Sequence, residues 1–146
     1  MDRTILLVED SADDAELTVL AFRRNRIDNP VRIARDGAEA LAILLPDSAA
    51  ECAAVHEQPA LVILDLNLPK VPGLDVLRRI RAEPRTQRLP VVILTTSTEQ
   101  TEVLRSYRLG ANAYVRKPVS FDEFVTAAGR MGLFWLMLNV PPGPPA

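Results

Sequence analysis

The stretch Leu61-Val62-Ile63-Leu64-Asp65-Leu66-Asn67-Leu68-Pro69 limits what this chain can become. A continuous run of Leu, Val and Ile this short, bounded by turn residues, suits a strand buried on both faces, as in a parallel sheet. Asp65 follows at the strand's carboxyl end. In open α/β sheets ligands bind in the crevice beyond those ends, so a carboxylate delivered there is placed for chemistry. Standing alone, Asp65 would read better as the start of a Leu-Asn-Leu-Pro turn. The rest of the chain argues against that reading.

Ile5-Leu6-Leu7-Val8 is a second buried-strand run, and it ends in Glu9-Asp10-Ser11. Pro30 to Ala34 is a weaker, alternating strand. Pro90-Val91-Val92-Ile93-Leu94 ends in Thr95-Thr96-Ser97, and Ala113-Tyr114-Val115-Arg116 delivers Lys117-Pro118. Helical patterns lie between. The first is capped by Ser11 or Asp13 and runs through Phe22, with Ala15, Val19 and Phe22 at helical spacing and Leu17 and Leu20 beside them. After an Asp36-Gly37 turn, Ala38 to Leu45 forms a helix that Pro46 stops. Leu74, Val76, Leu77 and Ile80 mark a helix ending near Pro84; Glu99 to Arg108 marks another, with Gly110 beyond its end. The last spans about Ser120 to Leu138. Five strands alternating with five helices predict a doubly wound α/β domain with a five-stranded parallel sheet. The order 2-1-3-4-5, flavodoxin-like, puts the strands ending in Asp10, Asp65 and Thr95 side by side.

With 146 residues, 48% of them hydrophobic, the chain has material for one core. One domain over residues 1–140 and a proline-rich tail over 141–146 are expected, the tail extended. A net charge of -2 gives no reason to expect nucleic acid or an anionic membrane as partner. Arg78, Arg79, Arg81, Arg85 and Arg88 read as a solvated helix face and loop. Cys52 is the only cysteine, which excludes an internal disulfide and a multi-cysteine metal site. It lies with His56 between Pro46 and Pro59, in a segment read as a surface insertion; a Cys-His nucleophilic pair is the other reading. Ile5 to Val8 is too short for a secretory signal and Leu133 to Leu138 too short to span a bilayer, so a cytoplasmic protein is expected.

Glu9, Asp10 and Asp65, crowded at one sheet edge, repel each other unless protons or a cation neutralise them. Mg²⁺, which binds through one or two carboxylates, waters and phosphate oxygens, answers that problem. Lys117 supplies a point charge and Thr95 a hydroxyl, groups that stabilise transferred phosphoryl oxygens. Acyl-phosphate formation on a carboxylate would use all five residues.

Glu9-Asp10, Asp65, Thr95 and Lys117-Pro118, in this order and at these strand ends, resemble the receiver domain of two-component response regulators, over roughly Arg3 to Met137. The resemblance implies that Asp65 is the phosphoacceptor. It implies that Asp10, Asp65 and the backbone carbonyl of Asn67 bind Mg²⁺, with Glu9 acting through water. Lys117 would pair with the phosphoryl group and precede a cis Pro118, and Thr95 and Tyr114 would form a hydroxyl–aromatic switch. The spellings Glu9-Asp10-Ser11-Ala12-Asp13-Asp14, Asp65-Leu66-Asn67-Leu68-Pro69-Lys70 and Leu109-Gly110-Ala111-Asn112-Ala113-Tyr114 are similar to those of small single-domain regulators paired with bacterial phytochromes. A sensor histidine kinase, a bacteriophytochrome among them, is the partner implied.

No effector domain is expected after Lys117-Pro118, so output falls to a surface of the domain. Phe121, Phe124, Val125, Ala128, Met131 and Trp135 make the core-facing side of the last helix. Leu133, Phe134, Leu136 and Met137 point around the rest of it, which predicts a homodimer with Phe134, Leu136 and Met137 in its interface. The alternatives are a phosphate sink, or a constitutive protein-binding module without phosphorylation-dependent output. A Mg²⁺-dependent phosphatase working through an aspartyl phosphate needs an acid two residues past its nucleophile, where this chain has Asn67.

Overall fold

Alternation within each apolar run sorts the side chains onto the two faces of one sheet. The computed structural model describes residues 3–46, 58–118, 120–138 and 140. Cys52, His56 and the tail 141–146 lie outside the described residues. The strands are β1 (Ile5–Val8), β2 (Val31–Ala34), β3 (Leu61–Leu64), β4 (Val91–Thr95) and β5 (Ala113–Arg116). They pair in parallel in the order β2-β1-β3-β4-β5, as the sequence predicts. Leu6, Val8, Val62, Leu64, Val91 and Ile93 face one way, against Ala40, Leu44, Val76, Leu77 and Ile80. Ile5, Leu7, Leu61, Ile63, Val92 and Leu94 face the other, against Ala15, Ala21, Phe22, Ala128 and Met131. A central sheet with helices on both faces is what strands without a polar side require.

The helices are α1 (Ala12–Arg24), α2 (Gly37–Leu44), α3 (Gly73–Ala82), α4 (Gln100–Arg108) and α5 (Phe121–Gly132). Ser11 caps α1, its Oγ accepting from the Asp14 N–H at 3.2 Å. Asp36, expected in a turn, caps α2 by accepting from the Glu39 N–H at 2.7 Å. On α1 the buried stripe is Ala15, Thr18, Ala21 and Phe22, while Leu17 and Leu20 stay exposed. Thr18 tolerates burial because its hydroxyl donates to the Asp14 carbonyl at 2.8 Å. Asn25, just past α1, donates to the carbonyls of Ala21 and Val125 and so fastens α1 to α5.

Two expectations need correction here. Arg81 is not part of a solvated face. Its guanidinium donates to the carbonyls of Gly110, Gln87 and Leu89 and to Asn112 Oδ1, at 2.7–3.0 Å, joining the end of α3 to the entries of β4 and β5. A planar fork with five donors can hold several carbonyls at once. The last helix is also not α-helical throughout: residues Leu133–Leu138 form a π-helical segment. A turn closed by i→i+5 bonds is wider than an α turn and advances each residue by a smaller angle, which brings Leu136 round to the side of the buried Ala128 and Gly132, where it packs in the core at 6% exposure. It is not on the uncovered side, where Phe134 remains, half exposed and edge-on to Trp135. The side chain of Met137 lies outside what the structure describes. Arg3 donates to the carbonyls of Trp135 and Leu136, tying the amino-terminal end of the chain to this segment.

Candidate functional site

Register sets the site. Val8 pairs with Leu64, so Glu9 and Asp65 leave neighbouring strands at the same level. The Asp65 N–H donates to the Val8 carbonyl at 3.1 Å and prolongs the ladder to the carboxylate itself. Past Asp65 the chain turns sharply into α3. The Gly73 N–H donates to the Leu66 carbonyl, and a Cβ on Gly73 would come within 2.3 Å of the Asp65 carbonyl oxygen. Only glycine permits that approach, which holds the acid loop against the start of α3. The Asn67 N–H donates to Asp65 Oδ1 at 3.2 Å, which orients the carboxylate from its own loop.

On the other side, the Lys117 N–H donates to the Thr95 carbonyl at 2.8 Å, carrying the β4–β5 ladder one residue further. From there the Lys117 ammonium reaches three carboxylates: Glu9 Oε1 at 2.5 Å, Asp14 Oδ2 at 3.0 Å and Asp65 Oδ2 at 3.1 Å. Its three N–H donors are thereby all engaged. No described peptide bond is cis, so the expected cis Lys117–Pro118 bond is absent. The trans bond, favoured intrinsically even before proline, already lets the side chain span the site, so nothing here demands the less stable isomer.

Burial pushes the Glu9 carboxyl up to about 7, against the pull of Lys117 and with the help of the Asp65 charge. Burial works the other way on Lys117, but the bond to Glu9 and the charges of Asp65 and Glu9 outweigh it, and its ammonium is held more firmly than usual. Oxygens of Glu9, Asp10 and Asp65 lie within 4.8 Å of one another. Glu9 and Asp65 are buried and Asp10 is exposed, so the cluster opens to solvent on one side. An all-oxygen donor set with more negative charge than one ammonium can offset fits a hard divalent cation.

Thr95 is fully buried, and its Oγ1 accepts from the Ser97 N–H at 3.4 Å. Tyr114 is half-buried, packs on the core and donates from its hydroxyl to the Ser97 carbonyl at 3.2 Å. Ser97 Oγ in turn donates to Glu102 Oε1 at 2.7 Å. The two residues expected to form a switch thus meet through one serine. Neither that junction nor the contact of Asp14 with Lys117 is legible in the sequence. Asp14 gives one signal only: it stands at the third helical position after the Ser11 cap, where an acid ordinarily turns back to the cap's N–H. Here that N–H goes to Glu9 Oε2 at 3.3 Å, and the Asp14 carboxylate is left for Lys117.

Fold, strand-end acids and lysine together define a phosphoryl-receiving domain, and the family model described as "Response regulator receiver domain" matches residues 5–129. The chain belongs to the response regulator receiver family. Among curated relatives it is 38% identical to Response regulator Rcp1 of Synechocystis, over 92% of this chain and 89% of that one. The crystal structure of the phosphorylated cyanobacterial phytochrome response regulator RcpA superposes with a TM-score of 0.88 at 34% identity, covering 98% of this chain and 100% of that one. The Mn²⁺-bound form of Rcp1 superposes with a TM-score of 0.85 at 37% identity, covering 97% and 99%. Among the described residues no helix is long and apolar enough to cross a membrane.

Proposed function

We propose that the chain is a phosphorylatable signalling module in which Asp65 takes a phosphoryl group from the phosphohistidine of a sensor histidine kinase. The observation that carries this reading is the buried Asp65 at the end of β3 with the Lys117 ammonium 3.1 Å from its Oδ2, inside an acidic cluster. A carboxylate oxygen attacks phosphorus, the histidine N–P bond breaks, and the imidazole leaves as the phosphoryl group arrives. Glu9, Asp10, Asp65 and the backbone carbonyl of Asn67 would hold Mg²⁺, which when bound offsets the charge on the transferred oxygens. Lys117 pairs with the new phosphate. The Thr95 hydroxyl then turns from Ser97 towards that phosphate, and Tyr114 occupies the space Thr95 leaves.

Likeness to Rcp1 and RcpA supports a bacterial phytochrome as the kinase, and the Mn²⁺-bound Rcp1 supports a divalent cation at the acids. Half-exposed Phe134 supports a homodimer through the segment that follows α5. The test is intact mass after incubation with Mg²⁺ and acetyl phosphate, for wild type and Asp65→Asn. One added phosphoryl group that requires Mg²⁺ and disappears in the variant is expected. No adduct in the wild type, with quick sampling, would leave a constitutive binding module instead.

A further inference from the structure

Lys117 sits where it obstructs the cluster it serves. Its ammonium bonds Glu9 and Asp65, two of the three carboxylates whose oxygens converge within 4.8 Å. Before Glu9 and Asp65 can serve a divalent cation, Lys117 must loosen its hold on their carboxylates, because an ammonium and a divalent cation held on the same two carboxylates repel each other strongly. Its third partner is different. Asp14 is outside the converging trio, its side chain is 42% exposed, and it takes the ammonium at 3.0 Å. Its backbone is fixed on both sides, the N–H by the Ser11 cap and the carbonyl by the Thr18 hydroxyl. It also lies in the first turn of α1, where the helix dipole favours a negative charge. Ser11's N–H is taken by Glu9, so it does not compete with Lys117 for the Asp14 carboxylate.

From this geometry we infer that Asp14 is a positioning residue: it holds the Lys117 ammonium while Glu9 and Asp65 are given up to the divalent cation. The inference rests on the reading of Asp65 as a cation-assisted phosphoacceptor. When Lys117 releases Glu9 and Asp65, Asp14 keeps the ammonium beside Asp65, ready for the oxygens of an incoming phosphoryl group. Without Asp14 the metal-free state still has two partners for Lys117, whereas the metal-bound state loses the partner it depends on. Removing Asp14 therefore weakens cation binding by acting on Lys117, not by contributing a ligand.

The experiment is a double-mutant cycle on Mn²⁺ affinity, read from the free-ion electron paramagnetic resonance signal at moderate salt. It uses wild type, Asp14→Asn, Lys117→Met and the double variant. Asp14→Asn is expected to weaken binding about three- to fivefold, the range of a partly exposed ion pair. In the Lys117→Met background the same substitution should change affinity less than about twofold, since only its screened through-space effect remains. Equal losses in both backgrounds, or no loss in either, overturn the inference while leaving the phosphoacceptor reading intact. Absence of Mn²⁺ binding in the wild type overturns both. Should Lys117→Met unfold, Asp14→Glu replaces the cycle: it can still reach the ammonium, so it should keep affinity near wild type where Asp14→Asn does not. A Glu variant as weak as the Asn variant overturns the inference.

Discussion

Glu9 shows how one buried side chain sets the acid–base behaviour of the site. Its carboxyl is 3% exposed, and burial raises it to about 7 although an ammonium lies 2.5 Å away. The unfolded chain holds that proton only below about 4.5, the ordinary value for the group. Between these limits the folded state binds the proton more tightly than the unfolded one, so stability falls as pH rises through the interval and levels off above it. In metal-free buffer the wild type should lose on the order of 3 kcal/mol, the equivalent of that shift, as pH rises from 4.5 through about 7. Glu9→Gln cannot titrate and should lack this component. Urea midpoints against pH for both proteins in a chelator decide it, and identical slopes would mean that burial does not govern Glu9.

At the scale of elements, Arg81 makes the strongest case that a charge on a helix is not by that fact a surface charge. It serves three carbonyls and one amide oxygen, and Asn112 Oδ1 also accepts from the Val91 N–H at 2.7 Å, so the junction of α3, β4 and β5 runs through one guanidinium. Arg81→Met keeps the apolar stem but leaves the acceptors to find water, and should cost about 2–3 kcal/mol. The urea midpoint should fall with an unchanged slope; a shift below about 0.5 kcal/mol would return Arg81 to the solvated face. The sequence allowed the solvated reading because helical spacing reports which face a residue is on, not which loop folds back over it. The strands were legible for the opposite reason. Leu61 to Leu64 and Ile5 to Val8 are apolar without interruption, and only a doubly covered parallel strand accommodates that. The acids and the lysine were legible because they end those strands. Asp14 was not, since its role depends on where the Ser11 N–H goes. α-Helical spacing puts Leu136 on the uncovered side, and the π-helical winding of its segment turns it to the core.

At the scale of the whole molecule, the proposed homodimer needs an uncovered apolar surface. Phe134 is 49% exposed beside Trp135, and Leu104 and Tyr107, one helical turn apart on α4, are exposed to 48% and 50%. Leu136 no longer belongs to that surface, which leaves Phe134 as the aromatic anchor of the proposed homodimer. In a two-fold interface each substitution is present twice, because the same patch serves both copies. An anchor worth about 2 kcal/mol per copy would then raise the dissociation constant about a thousandfold when both are removed. Phe134→Asp should accordingly turn a wild-type dimer at micromolar concentration into a monomer by sedimentation velocity, with the fold and the Asp65 phosphorylation mass shift retained. Leu104→Asp separates the surfaces: if it alone abolishes the dimer while Phe134→Asp leaves it whole, the contact runs over α4 and not through the segment after α5. A wild type that sediments only as monomer, phosphorylated or not, would mean that Phe134 is covered by something other than a second copy.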